Sequence, residues 1–287
     1  MRNLDENTIT EAVLVRHDHA TDERLKQIVT SLVQHLHAFA RDVNLTEGEW
    51  EQGIRFLTDV GHITDDKRQE FILLSDTLGL SMLVSAMANR KPAGCTEATV
   101  FGPFFVEGAP ADENGDDVAN GARGEPCFVS GSIKGLDGEP VAGARIEVWQ
   151  ADSDGFYDVQ RAGDEAQRAR GVLHSLADGR YHFRSIVAEP YPIPHDGPVG
   201  RMLAALGRHP WRPAHLHFMI TAPGYERLVT HVFREGDRYL DSDAVFGVRS
   251  SLVAQWIRHD EGTAPDGKRM NTPFSTLEFD FVLNRVS

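Results

Sequence analysis

The chain has 287 residues, 41% of them hydrophobic and 25% charged, with a formal net charge of −14. That length suits one large domain or two modest ones, and that composition is the one expected of a soluble globular protein. The acidic excess argues against a nucleic-acid partner, and Cys95 and Cys127 are too few and too far apart for a disulfide framework or a zinc motif. No signal peptide and no apolar run of membrane-spanning length is read, which leaves the cytoplasm as the expected location.

Residues 21–90 carry helical periodicity. Apolar side chains fall at Leu25, Ile28, Val29, Leu32, Val33, Leu36 and Phe39, the spacing of an amphipathic helix, with Thr21 as its expected N-cap. Thr46-Glu47-Gly48-Glu49 has capping-box form ahead of a second helix, which Gly61 is expected to stop. Thr64 is the expected cap of a third helix through FILLSDTLGLSMLVSAMANR. It should end near Lys91-Pro92, because proline disfavours helical backbone at the residue before it. The Met and Leu content of this helix is core material, or a stripe for helix–helix dimerisation.

Beyond Pro92 the character changes. GPFFVEGAPADENGDDVANGARGEP reads as a long loop, of a length that is uncommon unless functional or linking. Short β-favouring runs follow at Cys127–Ile133, Ala144–Ala151, Arg180–Val187, His215–Thr221, Leu228–Phe233 and Leu277–Leu283. Turn signals at residues 135–140 and 177–180 separate them. The pattern predicts a mainly β chain with an α-helical N-terminal part. A helical domain over residues 1–92 would precede an antiparallel β-sandwich over residues 93–287. There is no βα alternation, so a doubly wound sheet is not expected.

The chemistry-bearing residues crowd between Glu189 and His231. AHLHFMIT reads as a strand, so His215 and His217 share a face and could bind one metal ion. Taken alone, such a pair is more often a surface or core feature than a ligand pair. The flanking HPWRP fixes the strand entry and puts Arg212 three residues before His215, where it could serve a metal-bound anion or an ordinary surface salt bridge. Tyr191 lies in the proline-stiffened YPIP segment, packed or presented. Tyr157 follows a DSDG turn that lacks the downstream glutamate of a calcium loop. With no HExxH and no CxxC, a zinc hydrolase is poorly supported. If a metal is bound, tyrosine is the remaining ligand type, and phenolate with imidazole suits Fe(III).

In the order Tyr157, Tyr191, Arg212, His215, His217, the chain resembles the intradiol ring-cleaving dioxygenases, the non-haem iron family that opens catechols. The likeness runs over nearly the full length, through GPFFVEGAP, PVAGARIEVWQADSDGFYD, PYPIPHDGP and RPAHLHF. Within the family it is similar to the hydroxyquinol 1,2-dioxygenases, by VFGPFFVEGAP, by DGFYDVQ and by His231 in LVTH, where catechol 1,2-dioxygenases usually carry glutamine. The resemblance implies one Fe(III) per subunit on Tyr157, Tyr191, His215 and His217, with a further position for solvent. It implies that Tyr191 takes a proton as substrate binds, that Arg212 stabilises charge on the ring, and that His231 sits behind the ligands or near the oxygen pocket. Leu73, Asp76, Val100, Phe101, Gly102, Pro103, Phe104, Ile193 and Pro194 would line the substrate pocket, with Asp76 accepting a hydrogen bond from a third ring hydroxyl. The family also implies a homodimer through the N-terminal helices, often around bound phospholipid. The implied reaction is cleavage of hydroxyquinol (1,2,4-trihydroxybenzene) by O2 to 3-hydroxy-cis,cis-muconate, the tautomer of maleylacetate, in aromatic catabolism. The alternatives are catechol or a chlorocatechol as substrate, and a transthyretin-like binding module that needs no such ligand set.

Overall fold

Helices start where side chains can satisfy the first backbone N–H groups. In the computed structural model, which describes residues 2–66, 68–161 and 166–286, a short α1 (Ile9–Leu14) precedes α2 (Glu23–Asp42). Asp22, not Thr21, caps α2: its carboxylate accepts from the Leu25 amide at 2.9 Å. Asp22 is one residue nearer the helix and carries a charge that the N-terminus favours. The capping box of α3 (Glu47–Ile63) forms as expected, with Thr46 N donating to Glu49 Oε2 at 2.9 Å and Glu49 N donating to Thr46 Oγ1 at 3.3 Å. Gly61 does not stop α3, which runs on to Ile63. Thr64 is not the cap of the next helix, which Gln69 precedes; its hydroxyl donates back to the Val60 carbonyl at 2.7 Å.

The single third helix is in fact two, α4 (Glu70–Thr77) and α5 (Leu80–Ala88), bent by 78°. Gly79 makes the break: at φ 76° it adopts a left-handed backbone that a side-chain-bearing residue resists. Among the described residues no single helix is long and apolar enough to cross a membrane.

Two compact units are formed, Met1–Asp59 and Val60–Ser287. In the first, Arg41 donates to the Glu6 carbonyl (2.6 and 3.0 Å) and ties α2 to the segment before α1. The apolar stripe of α2 is exposed, with Leu25, Ile28, Leu32, Leu36 and Phe39 each about half accessible. The second unit holds α4, α5 and all the strands, so the boundary between units and the composition change at Pro92 do not coincide.

The strands of that unit are β1 (Pro126–Gly135), β2 (Arg145–Trp149), β3 (Arg170–His174), β4 (Arg180–Ile186) and β5 (Tyr191–Pro192). After α6 (Pro198–Ala205) come β6 (Trp211–Arg212), β7 (His215–Thr221), β8 (Leu228–Arg234), β9 (Val253–Ala254) and β10 (Trp256–His259). The chain closes with β11 (Gly262–Thr263), β12 (Arg269–Met270), β13 (Phe274–Glu278) and β14 (Phe281–Leu283). One sheet runs β3-β2-β7-β8-β9, and the other β10-β13-β1-β14 with β4 also on β1. Pairing is largely antiparallel, as expected of a sandwich, but β13 and β14 lie parallel to β1, and β9 lies parallel to β8.

The core lies between the sheets. Val129, Ile133, Tyr181, Phe183, Leu277 and Phe281 from one face meet Ile146, Val148, Leu173, Leu216, Phe218, Ile220 and Val232 from the other. Alternation along β7 commits Leu216, Phe218 and Ile220 to that core. His215 and His217 therefore stand on the opposite face, where the site is built.

Candidate metal centre

Strand register draws one row of side chains across the outer face. Arg170 on β3 pairs with Trp149 on β2, Trp149 with His217 on β7, and His217 with His231 on β8. The Trp149 ring stacks on the His217 imidazole at 4.6 Å and 17°, while His231 stacks on His215 at 4.7 Å. The loop after α5 covers this row. Thr99 N donates to the Val229 carbonyl at 3.0 Å and Thr230 Oγ1 to the Glu97 carbonyl at 2.7 Å, which lays residues 97–99 along β8. Gly102, at φ 77°, then passes so close that an added Cβ would sit 3.4 Å from His217 Cε1. Phe101 and Phe105 pack on Trp149, and Phe104 stacks on Tyr157 at 4.4 Å.

The tyrosines reach this row from loops of different build. Asp152 Oδ1 accepts from the amides of Asp154 and Phe156, which folds the DSDG segment into a turn. Arg161 engages the carboxylates of Asp152 and Asp154, so that turn is an arginine-braced corner. It delivers Tyr157, whose amide donates to Gln160 Oε1 at 2.9 Å. Tyr191 arrives on β5, a two-residue strand antiparallel to β6, in which Tyr191 lies opposite Arg212.

The four expected ligand groups converge. Tyr157 Oη lies 2.9 Å from His217 Nε2 and 3.4 Å from Tyr191 Oη, and His217 Nε2 lies 3.2 Å from His215 Nε2. Donor atoms held about 2.0–2.1 Å from one ion stand about 3 Å apart, so this spacing fits a common metal. The donor chemistry fits too. His215 Nδ1 donates to the Pro213 carbonyl at 2.7 Å, which leaves Nε2 unprotonated and free to ligate. One ring nitrogen from each of His215, His217 and His231 lies within 4.8 Å of the others, and among the described residues His217 Nδ1 has no hydrogen-bond partner. Tyr157, Tyr191, His215, His217, His231 and Arg212 are each at most 4% exposed.

Burial sets the charge state. It lifts the Tyr157 hydroxyl well above the usual phenol range, with Tyr191 beside it adding to the effect. It lowers His215 to about 3, helped by the Arg212 charge, and holds His217 and His231 well below the usual imidazole range. Burial thus disfavours the charged forms of these imidazoles and of the Tyr157 phenol, and phenolate there is favourable only beside a cation.

Arg212 is not on the surface. Its Nε and Nη2 donate to the Asp243 carboxylate at 3.0 and 3.2 Å, and both side chains are nearly inaccessible. Asp243 also accepts from the Val245 and Gly247 amides at 3.2 and 2.9 Å. Burial alone would raise the Asp243 carboxyl, but Arg212 more than offsets it and the net shift is downward. Arg212 Nη1 stands 3.2 Å from His215 Nε2, and Nη2 stands 3.5 Å from His231 Nδ1.

The expected pocket residues divide. Asp76 is buried on α4. Its carboxyl is raised chiefly by burial, against a hydrogen bond from Ser81 and the charge of Arg212. Leu73, Val100, Phe104 and Ile193 are buried, whereas Phe101 is 39% exposed. Gly102 and Pro103 belong to the covering loop and Pro194 follows β5. Sequence reading passed over Asp243, Trp149, Asp158 and Arg170. Trp149 was visible as the end of ARIEVW, on the strand next to that of His217 and paired with it in register; Arg170 opens a strand that the sequence does not announce, and Asp158 and Asp243 stand outside the strands.

Comparison with known proteins bears on this geometry. A family model described as Dioxygenase matches residues 100–285, and one described as Catechol dioxygenase N terminus matches residues 22–96. The chain is 63% identical to the 6-chlorohydroxyquinol 1,2-dioxygenase of Cupriavidus pinatubonensis, covering 99% of both chains. It is 58% identical to the hydroxyquinol 1,2-dioxygenase of Nocardioides simplex, over 97% of this chain and 95% of that one. Among solved structures, the hydroxyquinol 1,2-dioxygenase of Pseudomonas putida DLL-E4 superposes with a TM-score of 0.91 at 46% identity, over 98% of this chain and 99% of that one.

Proposed function

Because the chain belongs to the intradiol ring-cleavage dioxygenase family, we propose that it uses Fe(III) to open hydroxyquinol with O2, giving 3-hydroxy-cis,cis-muconate and hence maleylacetate. The carrying observation is the convergence of Tyr157, Tyr191, His215 and His217 through contacts of 2.9–3.4 Å in a buried site. Substrate choice is supported by full-length likeness to relatives named for hydroxyquinol and its 6-chloro derivative. The 63% identity to the latter makes a chlorinated hydroxyquinol the second reading.

A bound ferric ion would supply Lewis acidity to the two adjacent ring hydroxyls and bring the ring within reach of O2. Tyr191 Oη, carried on the short β5, is the group placed to take up a proton from the incoming diol. Arg212, held in place by Asp243, is a preorganised cation beside His215 for charge that develops on the ring. His215 and His217 are neutral ligands. To His231, stacked on His215, we assign a supporting place behind the ligands or at the oxygen side. Asp76, buried close enough to feel the charges of Arg212 and Asp243, is the acceptor we assign to the third hydroxyl. Leu73, Val100, Phe104 and Ile193 would exclude water around it.

The deciding experiment is the visible spectrum of iron-reconstituted protein before and after anaerobic hydroxyquinol. A red-brown phenolate-to-Fe(III) band that moves to longer wavelength with substrate is expected. Protein that stays colourless would reject the ligand set and favour a binding module. Relative kcat/KM for hydroxyquinol, 6-chlorohydroxyquinol, catechol and chlorocatechol then ranks the substrates. Hydroxyquinol should exceed catechol by about 100-fold, and Asp76→Ala should erase most of that margin.

We further propose that the exposed apolar stripe of α2 is covered by a second copy, with residues 1–92 as the dimerisation region, and that phospholipid can share the interface. A cytoplasmic location goes with this reading.

A further inference from the structure

Tyr157 and Tyr191 are supported very differently. Tyr191 hangs on a two-residue strand between prolines. Tyr157 is followed by Asp158, whose carboxylate is gripped by Arg170, with Arg170 Nε donating at 2.6 Å and Nη2 pairing with the other oxygen. Both side chains are almost wholly covered, 2% exposed for Arg170 and 6% for Asp158. A buried ion pair of this kind is weak evidence for stability, because desolvation offsets attraction, so its presence calls for another account. The remaining donors of the guanidinium provide one. Nη1 and Nη2 both reach the Phe104 carbonyl at 3.3 Å, and the Phe104 ring is the one stacked on Tyr157 at 4.4 Å. The same Arg170 stands opposite Trp149 in the row that continues to His217.

We infer that Arg170, with Asp158, is a positioning clamp for the iron ligand Tyr157. One side chain fixes the residue after the tyrosine, the carbonyl of the residue that roofs its ring, and the edge of the histidine-bearing row. Arginine suits the task because its planar fork serves the carboxylate and the carbonyl at once, which a lysine ammonium cannot do from a single point. The inference rests on the proposed assignment of Tyr157 as a metal ligand. It adds a reason why the two phenols are mechanically unequal: Tyr157 is locked from two sides, and Tyr191 is left free to leave.

The test compares the full-length protein with Arg170→Lys and with Arg170→Met/Asp158→Asn, in which no charge is left buried alone. Three quantities are read: Fe(III) retention against a chelator, the phenolate-to-Fe(III) band, and amide hydrogen exchange of residues 157–161 in metal-free protein. Both variants should lose iron affinity by about 10–100-fold, the range for second-layer partners of metal ligands. The band should weaken and move, and exchange should quicken by at least about tenfold, the mark of a local constraint lost. If the double variant fails to fold, Arg170→Lys decides alone. Folded variants with wild-type iron affinity and an unmoved band would overturn the clamp while leaving Tyr157 a ligand. Loss of melting temperature with an unmoved band would mean a merely structural pair, and would overturn it equally. A wild-type protein with no phenolate band would remove the ligand assignment and the clamp with it.

Discussion

Asp243 shows how much a site depends on a residue that stands behind it. It satisfies Arg212 and two backbone amides from a buried position. Asp243→Asn would leave the Arg212 charge without its counter-ion inside the protein. We expect a loss of about 3–5 kcal/mol in stability by denaturant titration. We also expect a drop in kcat of about 100-fold at saturating substrate, as for loss of a preorganised charge. Gly102→Ala should act on the metal. A Cβ there would force a strained backbone at φ 77° and press 3.4 Å from the His217 ring. Iron content after purification should fall well below one per subunit while the circular dichroism spectrum is retained. The residues proposed as ligands could be named from the sequence, because RPAHLHF and the paired tyrosines are local patterns. Asp243 and Arg170 were not, because their meaning comes from partners 31 and 12 residues away, through contacts that only the folded chain defines.

Among the elements, the amphipathic α2 and the capping box of α3 could be read because a helix is specified by neighbours in sequence. The break at Gly79 was misread, since a lone glycine inside an apolar run signals little until its φ is known. The strand β3 is not announced by the sequence because RGVLH is short and follows a polar stretch. The run ending at Leu283 was taken as one strand, although Phe279 and Asp280 divide β13 from β14. Glu139 tests how the β1–β2 turn is joined to distant elements. It accepts from Arg285, beyond β14, at 2.7 Å and from Tyr225, between β7 and β8, at 2.8 Å. The Arg285 hydrogen bond first, then that of Tyr225, lowers its carboxyl from 4.5 to about 2. A depressed folded-state value means that the contribution is complete above about 4.5 and is lost as pH falls toward 2. The difference in urea midpoint between wild type and Glu139→Gln should therefore be largest near neutrality and shrink through that acid window. A difference independent of pH would show that the carboxylate charge is not what joins these elements.

At the scale of the whole molecule, the exposed stripe of α2 is the feature that a single chain does not explain. Leu25, Ile28, Leu32, Leu36 and Phe39 are each about half exposed, with Trp50, Ile54 and Leu57 of α3 also accessible. Exposed apolar surface of this kind is what supports the proposed second copy. Leu32→Glu/Leu36→Glu should convert the protein from dimer to monomer in light scattering, with the charge-transfer band of the iron-loaded protein kept. A wild-type monomer at micromolar concentration would refute the dimer. The row Arg170–Trp149–His217–His231 has a last consequence, for the order of events in biogenesis. Its members come from four different strands, β3, β2, β7 and β8, and they align only in the native register. A slip of one residue in β7 would turn His215 and His217 into the core and Leu216 and Phe218 out to the metal side. On the proposed ligand set, iron would be taken up only by a sheet that has already been assembled correctly, so colour in a freshly refolded sample would work as a proofreading mark for strand alignment.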